Sequence, residues 1–274
     1  MKEMNTHFAE KALKTTTVLT FFVAGFEMFR CCLNFKEGMN LLDVASFVSA
    51  DMGMFCFIFI FGNLVLLPSA VMLYKQSGIS LKDEIYDKNT LGTDVLMGIV
   101  LAILSSLVSL VFSFTSMGRT SLAYSGTRDA AVGTILLQIV ALVFVSGICK
   151  EIFYRGFAKN FCGSIFGELP ALLLFNLMFG LLDWYNMGAS FVSGLLWIWG
   201  YRKRKHLIVP MIAHGGANLI GIIFNVLTAG IYLHFRERYP DLAGRVAQQY
   251  IATYLGITPE SLSRIRKALR EETE

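Results

Sequence analysis

Long apolar runs alternate with short polar segments through most of this chain. The runs are Val18 to Phe29, Met54 to Tyr74, Val95 to Phe114, Ala131 to Cys149, Leu169 to Trp184, Met187 to Gly200 and Leu207 to Leu233. Several approach the length of about 20 residues that a helix needs to cross the hydrocarbon core of a bilayer. The pattern predicts an all-α fold, a polytopic transmembrane helical bundle of about seven or eight spans over residues 1–235, with the first helix at roughly residues 17–35. Leu207 to Leu233 is too long for one untilted span and too short for two full ones. Gly215, Gly216, Gly221 and Gly230 would permit a break or a re-entrant turn within it. From Arg236 onward the chain turns polar, with both charge signs and no further apolar run, so residues 236–274 form a separate tail.

Composition agrees with this division. The 274 residues are 55% hydrophobic and 16% charged, and the mean hydropathy is +0.57, outside the range of a soluble domain. A net charge of +4 is modest and reflects basic loops rather than affinity for nucleic acid at large. Those loops, around Lys75, Lys150 to Lys159 and Arg202 to Lys205, carry more Lys and Arg than the loops between them. This predicts an integral protein of the bacterial inner (cytoplasmic) membrane with its N-terminus in the cytoplasm and membrane lipid as its constant partner. The five cysteines, at 31, 32, 56, 149 and 162, have neither zinc nor redox spacing and read as buried thiols.

The candidate chemistry lies where charge interrupts apolar sequence. Lys150, Glu151 and Arg155 close the fourth run, and Glu151 and Arg155 are spaced to share one helical face. His214 and Asn218 share a face of the seventh run in the same way, and Asp183 follows Phe179 and Gly180 in the fifth. Charged groups in such positions are costly and need partners or a function. Together they resemble the motifs of the CPBP family (CAAX proteases and bacteriocin-processing enzymes, or Abi), which are membrane-embedded proteases with the pattern Glu-Glu-x-x-x-Arg, Phe-x-x-x-His and His-x-x-x-Asn. The resemblance spans roughly residues 90–230. It makes Glu151, Arg155, His214 and Asn218 the candidate catalytic residues, with Asn and His stabilising an oxyanion. It also implies a peptide or prenylated-peptide-like ligand in the cavity. Two positions depart from the pattern: Lys150 replaces the first Glu and Asp183 replaces the first His, the residues thought to activate water. Because these replacements have opposite charge, an ion pair between Lys150 and Asp183 is expected where the family holds its water. No cofactor and no metal are expected, His214 being the one good nitrogen ligand near the site.

The tail reads as helix, turn, helix. Ile251, Tyr254 and Leu255 form one apolar face, Ala252 is small, and Gly256 ends the first helix. Thr258 and Pro259 start the second, whose Leu262 and Ile265 face back to the first. The spacing matches a helix-turn-helix, and the segment resembles the DNA-reading end of Crp/Fnr-type regulators. That resemblance makes Ser261, Ser263, Arg264 and Lys267 candidate DNA-binding residues and implies a homodimer. Three functions follow as expectations: a catalytically degenerate membrane-bound regulator or sensor with a DNA-binding-like tail, an active intramembrane endopeptidase, or a membrane scaffold or immunity protein.

Overall fold

The computed structural model describes residues 6–33, 52–113, 132–182, 187–239, 248–255, 259, 262–263 and 265–266. Among them the chain is helical apart from short turns. In chain order the elements are α1 (Thr6–Leu33), α2 (Met52–Leu64), α3 (Leu66–Ser77), α4 (Leu81–Ile85), α5 (Leu91–Ser113), α6 (residues 132–166), α7 (Glu168–Leu182), α8 (Met187–Arg204), α9 (Ile208–Arg238) and α10 (Gln248–Leu255). Each predicted apolar run falls on helix among the described residues. The second is jointed at Val65, because Pro68 has no N–H to offer the Leu64 carbonyl. Four stretches are long and apolar enough to cross a membrane by themselves: Phe59–Ser77, Leu91–Phe112, Ile135–Ile165 and Ile208–Thr228. The chain is a helical membrane protein.

Contacts between sequence-distant residues show which helix ends lie together. Lys11 Nζ donates to Gln76 Oε1 (3.1 Å), Lys159 Nζ meets Glu84 (2.6 Å), Arg202 meets Glu168 (3.1 Å), and His206 Nδ1 lies 2.8 Å from Asp94 Oδ2. The start of α1 and the junctions α3–α5, α6–α7 and α8–α9 therefore share one end of the bundle. Short α4 closes this end. Ser80 caps it by accepting from the Asp83 N–H, and its Glu84 holds Tyr201, Lys159 and, through the backbone carbonyl, the Leu207 N–H. Lys75, Lys82, Lys88, Lys159 and Arg202 to Lys205 all gather here.

The aromatic core lies among α6, α7 and α8, with Phe153, Tyr154, Phe157, Phe161, Phe175, Phe179 and Trp197 buried. The outer faces are apolar as well: Leu96, Ile103, Leu107 and Val111 of α5 are exposed, the arrangement lipid selects, because hydrocarbon needs no polar surface. Where α6 and α9 cross, a Cβ on Gly147 would sit 3.2 Å from Gly215, and one on Gly215 would sit 2.8 Å from the Val143 carbonyl. Small residues let the two backbones touch, the usual means of helix association in lipid.

α9 is one unbroken helix. Its glycines break nothing, since every turn is completed along the helix and Gly215 and Gly216 serve the close packing with α6 and α5. The break or re-entrant turn that these glycines would permit is not made, and α9 is a rod of about 46 Å at 1.5 Å per residue. It carries the tail to the end of the bundle remote from the basic cluster. There the tail forms the apolar core its spacing predicts, with Ile251, Ala252, Leu262 and Ile265 buried on Tyr232 of α9, flanked by Phe235 and Leu255.

Candidate functional site

α6 changes winding along its length. It is α-helical over Val132–Gln138 and Gly147–Glu151, π-helical over Ile139–Ser146 and Ile152–Cys162, and α-helical again over Gly163–Phe166. π-turns inside helices concentrate at functional sites, and here they flank the short α-helical stretch that ends in Lys150 and Glu151. Both residues are buried, as is Arg155.

Glu151 Oε1 is the hub. It accepts from Arg155 Nη1 on its own helix at 3.2 Å and lies 2.7 Å from His214 Nδ1 on α9. Arg155 Nη2 donates to Asn176 Oδ1 of α7 at 2.9 Å, and Asn176 Nδ2 donates to the Phe191 carbonyl of α8 at 3.0 Å. Four helices are thereby joined through polar groups inside an apolar core, where each charge requires its partner. Gly194 of α8 makes this possible, because a Cβ there would fall 1.8 Å from Asn176 Oδ1. The aromatic walls are equally fixed. Trp197 stacks on the His214 ring at 4.6 Å and 20°, Phe179 meets it edge-on at 5.6 Å, and Trp197 Nε1 donates to Ser105 Oγ at 2.8 Å. The Arg155 guanidinium lies 4.3 Å from the Phe179 ring centre. An ionised carboxylate only accepts, so the network assigns the imidazole hydrogen to Nδ1 and leaves Nε2 as acceptor. Ser146 Oγ is 3.5 Å from that Nε2.

Of the residues singled out in the sequence, Glu151, Arg155 and His214 come together. Asn218 lies on the same face of α9 as His214, one turn on, and donates to the Leu142 carbonyl of α6 at 2.7 Å. Lys150 Nζ sits 5.1 Å from the Phe59 ring centre and 5.6 Å from that of Phe179. Asp183 lies outside the described residues, and so does the expected ion pair with Lys150. In the tail Ser263 is exposed, while Ser261, Arg264 and Lys267 lie outside the described residues. Sequence reasoning gave no role to Ser146, Asn176, Gly194 or Trp197. Asn176 alone had a signal, an amide inside an apolar run.

The family model described as type II CAAX prenyl endopeptidase Rce1-like matches residues 132–220, from the start of α6 to the middle of α9. The matched stretch holds Glu151, Arg155, Asn176, Gly194, Trp197, His214 and Asn218 and ends before the tail. No curated protein and no solved structure matches the chain. The helical bundle and its lipid-facing surface make the chain an integral membrane protein, and its residues 132–220 are similar to that endopeptidase family.

Proposed function

We propose that this chain does not perform the water attack on a peptide carbonyl that the family resemblance implies, and that it serves as a membrane-bound regulator or sensor whose ligand binds at the Glu151–Arg155–His214 network. The observation that carries the reading is Lys150. At the position of the expected base stands an ammonium, buried between the rings of Phe59 and Phe179. A lysine side chain brings donors where the family pattern has a carboxylate acceptor, so the position lacks the group that would take a proton from water. Glu151 is held by Arg155 and His214 through Oε1 while its Oε2 has no hydrogen-bond partner among the described residues, so it orients the imidazole and leaves one oxygen for a ligand's donor.

Topology bears on the tail. The basic end of the bundle takes the cytoplasmic side by the positive-inside rule, which places the N-terminus inside and the far end of α9, with the tail, outside. That location favours a protein partner for the tail over DNA. The function is tested with purified protein in nanodiscs and a farnesylated reporter peptide. The expected result is no cleavage above the no-protein control. Cleavage that Glu151→Ala abolishes and Ser146→Ala leaves intact would restore the peptidase reading.

A further inference from the structure

We infer that the buried network holds a serine nucleophile, with Ser146 attacking, His214 as its base and Glu151 positioning the imidazole, and that it acts on an apolar, lipid-like acyl ester or thioester. This goes beyond the loss of the water reaction and assigns the site a covalent chemistry of its own.

The geometry has the order a serine nucleophile requires. Ser146 Oγ is 3.5 Å from His214 Nε2, and His214 Nδ1 is 2.7 Å from Glu151 Oε1. Nucleophile, base and orienting carboxylate are recognised by this relation rather than by fold or chain position. Without substrate the nucleophile–base distance is commonly long. The tautomer is the productive one, with Nε2 free to accept. The imidazole is held in plane by the Trp197 stack, and the carboxylate is held by Arg155. Ser146, like Thr20 toward Tyr154, turns its hydroxyl to a neighbouring helix, which many helical hydroxyls do not. Thr17, Ser106 and Thr228 each return their hydrogen to the carbonyl one turn back on their own helix, the ordinary habit of such side chains in helices. Ser146 reaches across to α9 instead. It does so where Gly147 and Gly215 let the two backbones approach to contact distance.

The substrate class follows from the walls. Ser146 is buried, with Phe144 and Ile148 exposed to lipid on the opposite side of the same turns of α6, and Phe179 and Trp197 line the imidazole. Aromatic walls of this kind match an acyl chain better than a polar substrate. An ester or thioester carbonyl needs less activation than an amide, which suits a site that does not cleave peptides. In the first step the Ser146 Oγ–H proton passes to His214 Nε2, the oxygen bonds to the acyl carbon, and the carbonyl electron pair moves to oxygen. Asn218 brings an amide to this level of the bundle: it lies one turn from His214 and is held by Leu142, one turn from Ser146. Collapse restores the carbonyl and expels the alcohol or thiol, which takes the proton from His214. In the second step a water molecule gives His214 a proton, attacks the Ser146 ester and releases the carboxylic acid, and Ser146 recovers its hydrogen.

The test uses full-length protein in detergent micelles, treated with one short-chain and one long-chain alkyl fluorophosphonate and read by intact mass and peptide mapping. The expected result is a single adduct on Ser146, formed faster with the long chain and absent after heat denaturation. His214→Gln slows labelling by at least about 100-fold. Glu151→Gln lowers the maximal inactivation rate while the half-saturating probe concentration stays unchanged, which separates positioning from a loss of fold. No adduct on folded wild-type protein, an adduct elsewhere, or an unchanged rate in a His214→Gln variant that melts like wild type overturns the inference. Missing label with no peptide cleavage sinks this inference alone. Label at Ser146 alongside peptide cleavage that survives Ser146→Ala sinks the proposed function alone.

Discussion

Substituting Gly194 by alanine is the sharpest structural test of the network. The added Cβ would stand 1.8 Å from Asn176 Oδ1, 2.7 Å from Asn176 Cγ and 2.8 Å from Arg155 Nη2. Ordinary contact requires the amide to retreat by about 1.5 Å, beyond the reach of both its hydrogen bonds. The bond from Arg155 is charge-assisted and its loss costs about 1.5–3 kcal/mol, while the bond to the Phe191 carbonyl adds about 0.5–1.5 kcal/mol. Alanine in a helix returns about 1 kcal/mol relative to glycine. The net loss is then about 1–3.5 kcal/mol, and at about 2–4 °C per kcal/mol for a chain of this class the melting temperature falls by about 2–14 °C. The assay is thermal unfolding in detergent, followed by a thiol-reactive dye that reports exposure of the buried Cys56, Cys149 and Cys162. Gly221→Ala is the control: its Cβ has nothing within 4 Å, so it melts at or above wild type. Adding Asn176→Ala to Gly194→Ala removes the overlap and makes the two substitutions less than additive. If Gly194→Ala melted with or above the Gly221→Ala control, the packing of Asn176 and Arg155 against α8 would be wrong.

Two further outcomes are expected. Trp197→Ala removes the plate under His214 and lowers stability by about 3–5 kcal/mol. Trp197→Phe loses only the bond to Ser105 and the size difference, so its melting temperature falls less; equal losses would count against the stack. Reporter fusions at residue 274 and in the loop near Tyr86 are expected to give opposite sides of the membrane, with residue 274 outside. A cytoplasmic signal at both would contradict the single crossing by α9 and return DNA to the tail's reach.

Much of the scaffold was legible because hydropathy alone marks where a helix must lie in lipid. Among the described residues all seven apolar runs fall on helices, and the i, i+4 spacing correctly placed Glu151 with Arg155 and His214 with Asn218 on shared faces. Spacing within a helix cannot say which helix stands opposite. Hence the bonds from His214 to Glu151, from Arg155 to Asn176 and from Asn218 to the Leu142 carbonyl had no sequence signature. Ser146 looked like any serine in an apolar run, and the need for Gly194 exists only once Asn176 is in place. The joint at Val65 was announced by Pro68 and was still missed, because the apolar run continues through it. In α9 the glycines suggested a break, whereas Gly215 and Gly216 serve close packing with α6 and α5. The tail's own core was read correctly at Ile251, Leu262 and Ile265. Its seat on Tyr232 was not, since that residue belongs to the span before it.

The central claim is that Lys150, with Asp183, leaves this membrane site without the base for water attack on a peptide carbonyl. The most direct measurement compares cleavage of a farnesylated reporter peptide by wild type and by the double variant Lys150→Glu, Asp183→His, each shown by melting to be folded. The account predicts no cleavage by wild type and measurable turnover by the double variant, abolished again by Glu151→Ala. Wild-type turnover that depends on Glu151 and is unchanged by Ser146→Ala, or a folded double variant as inert as wild type, would contradict it.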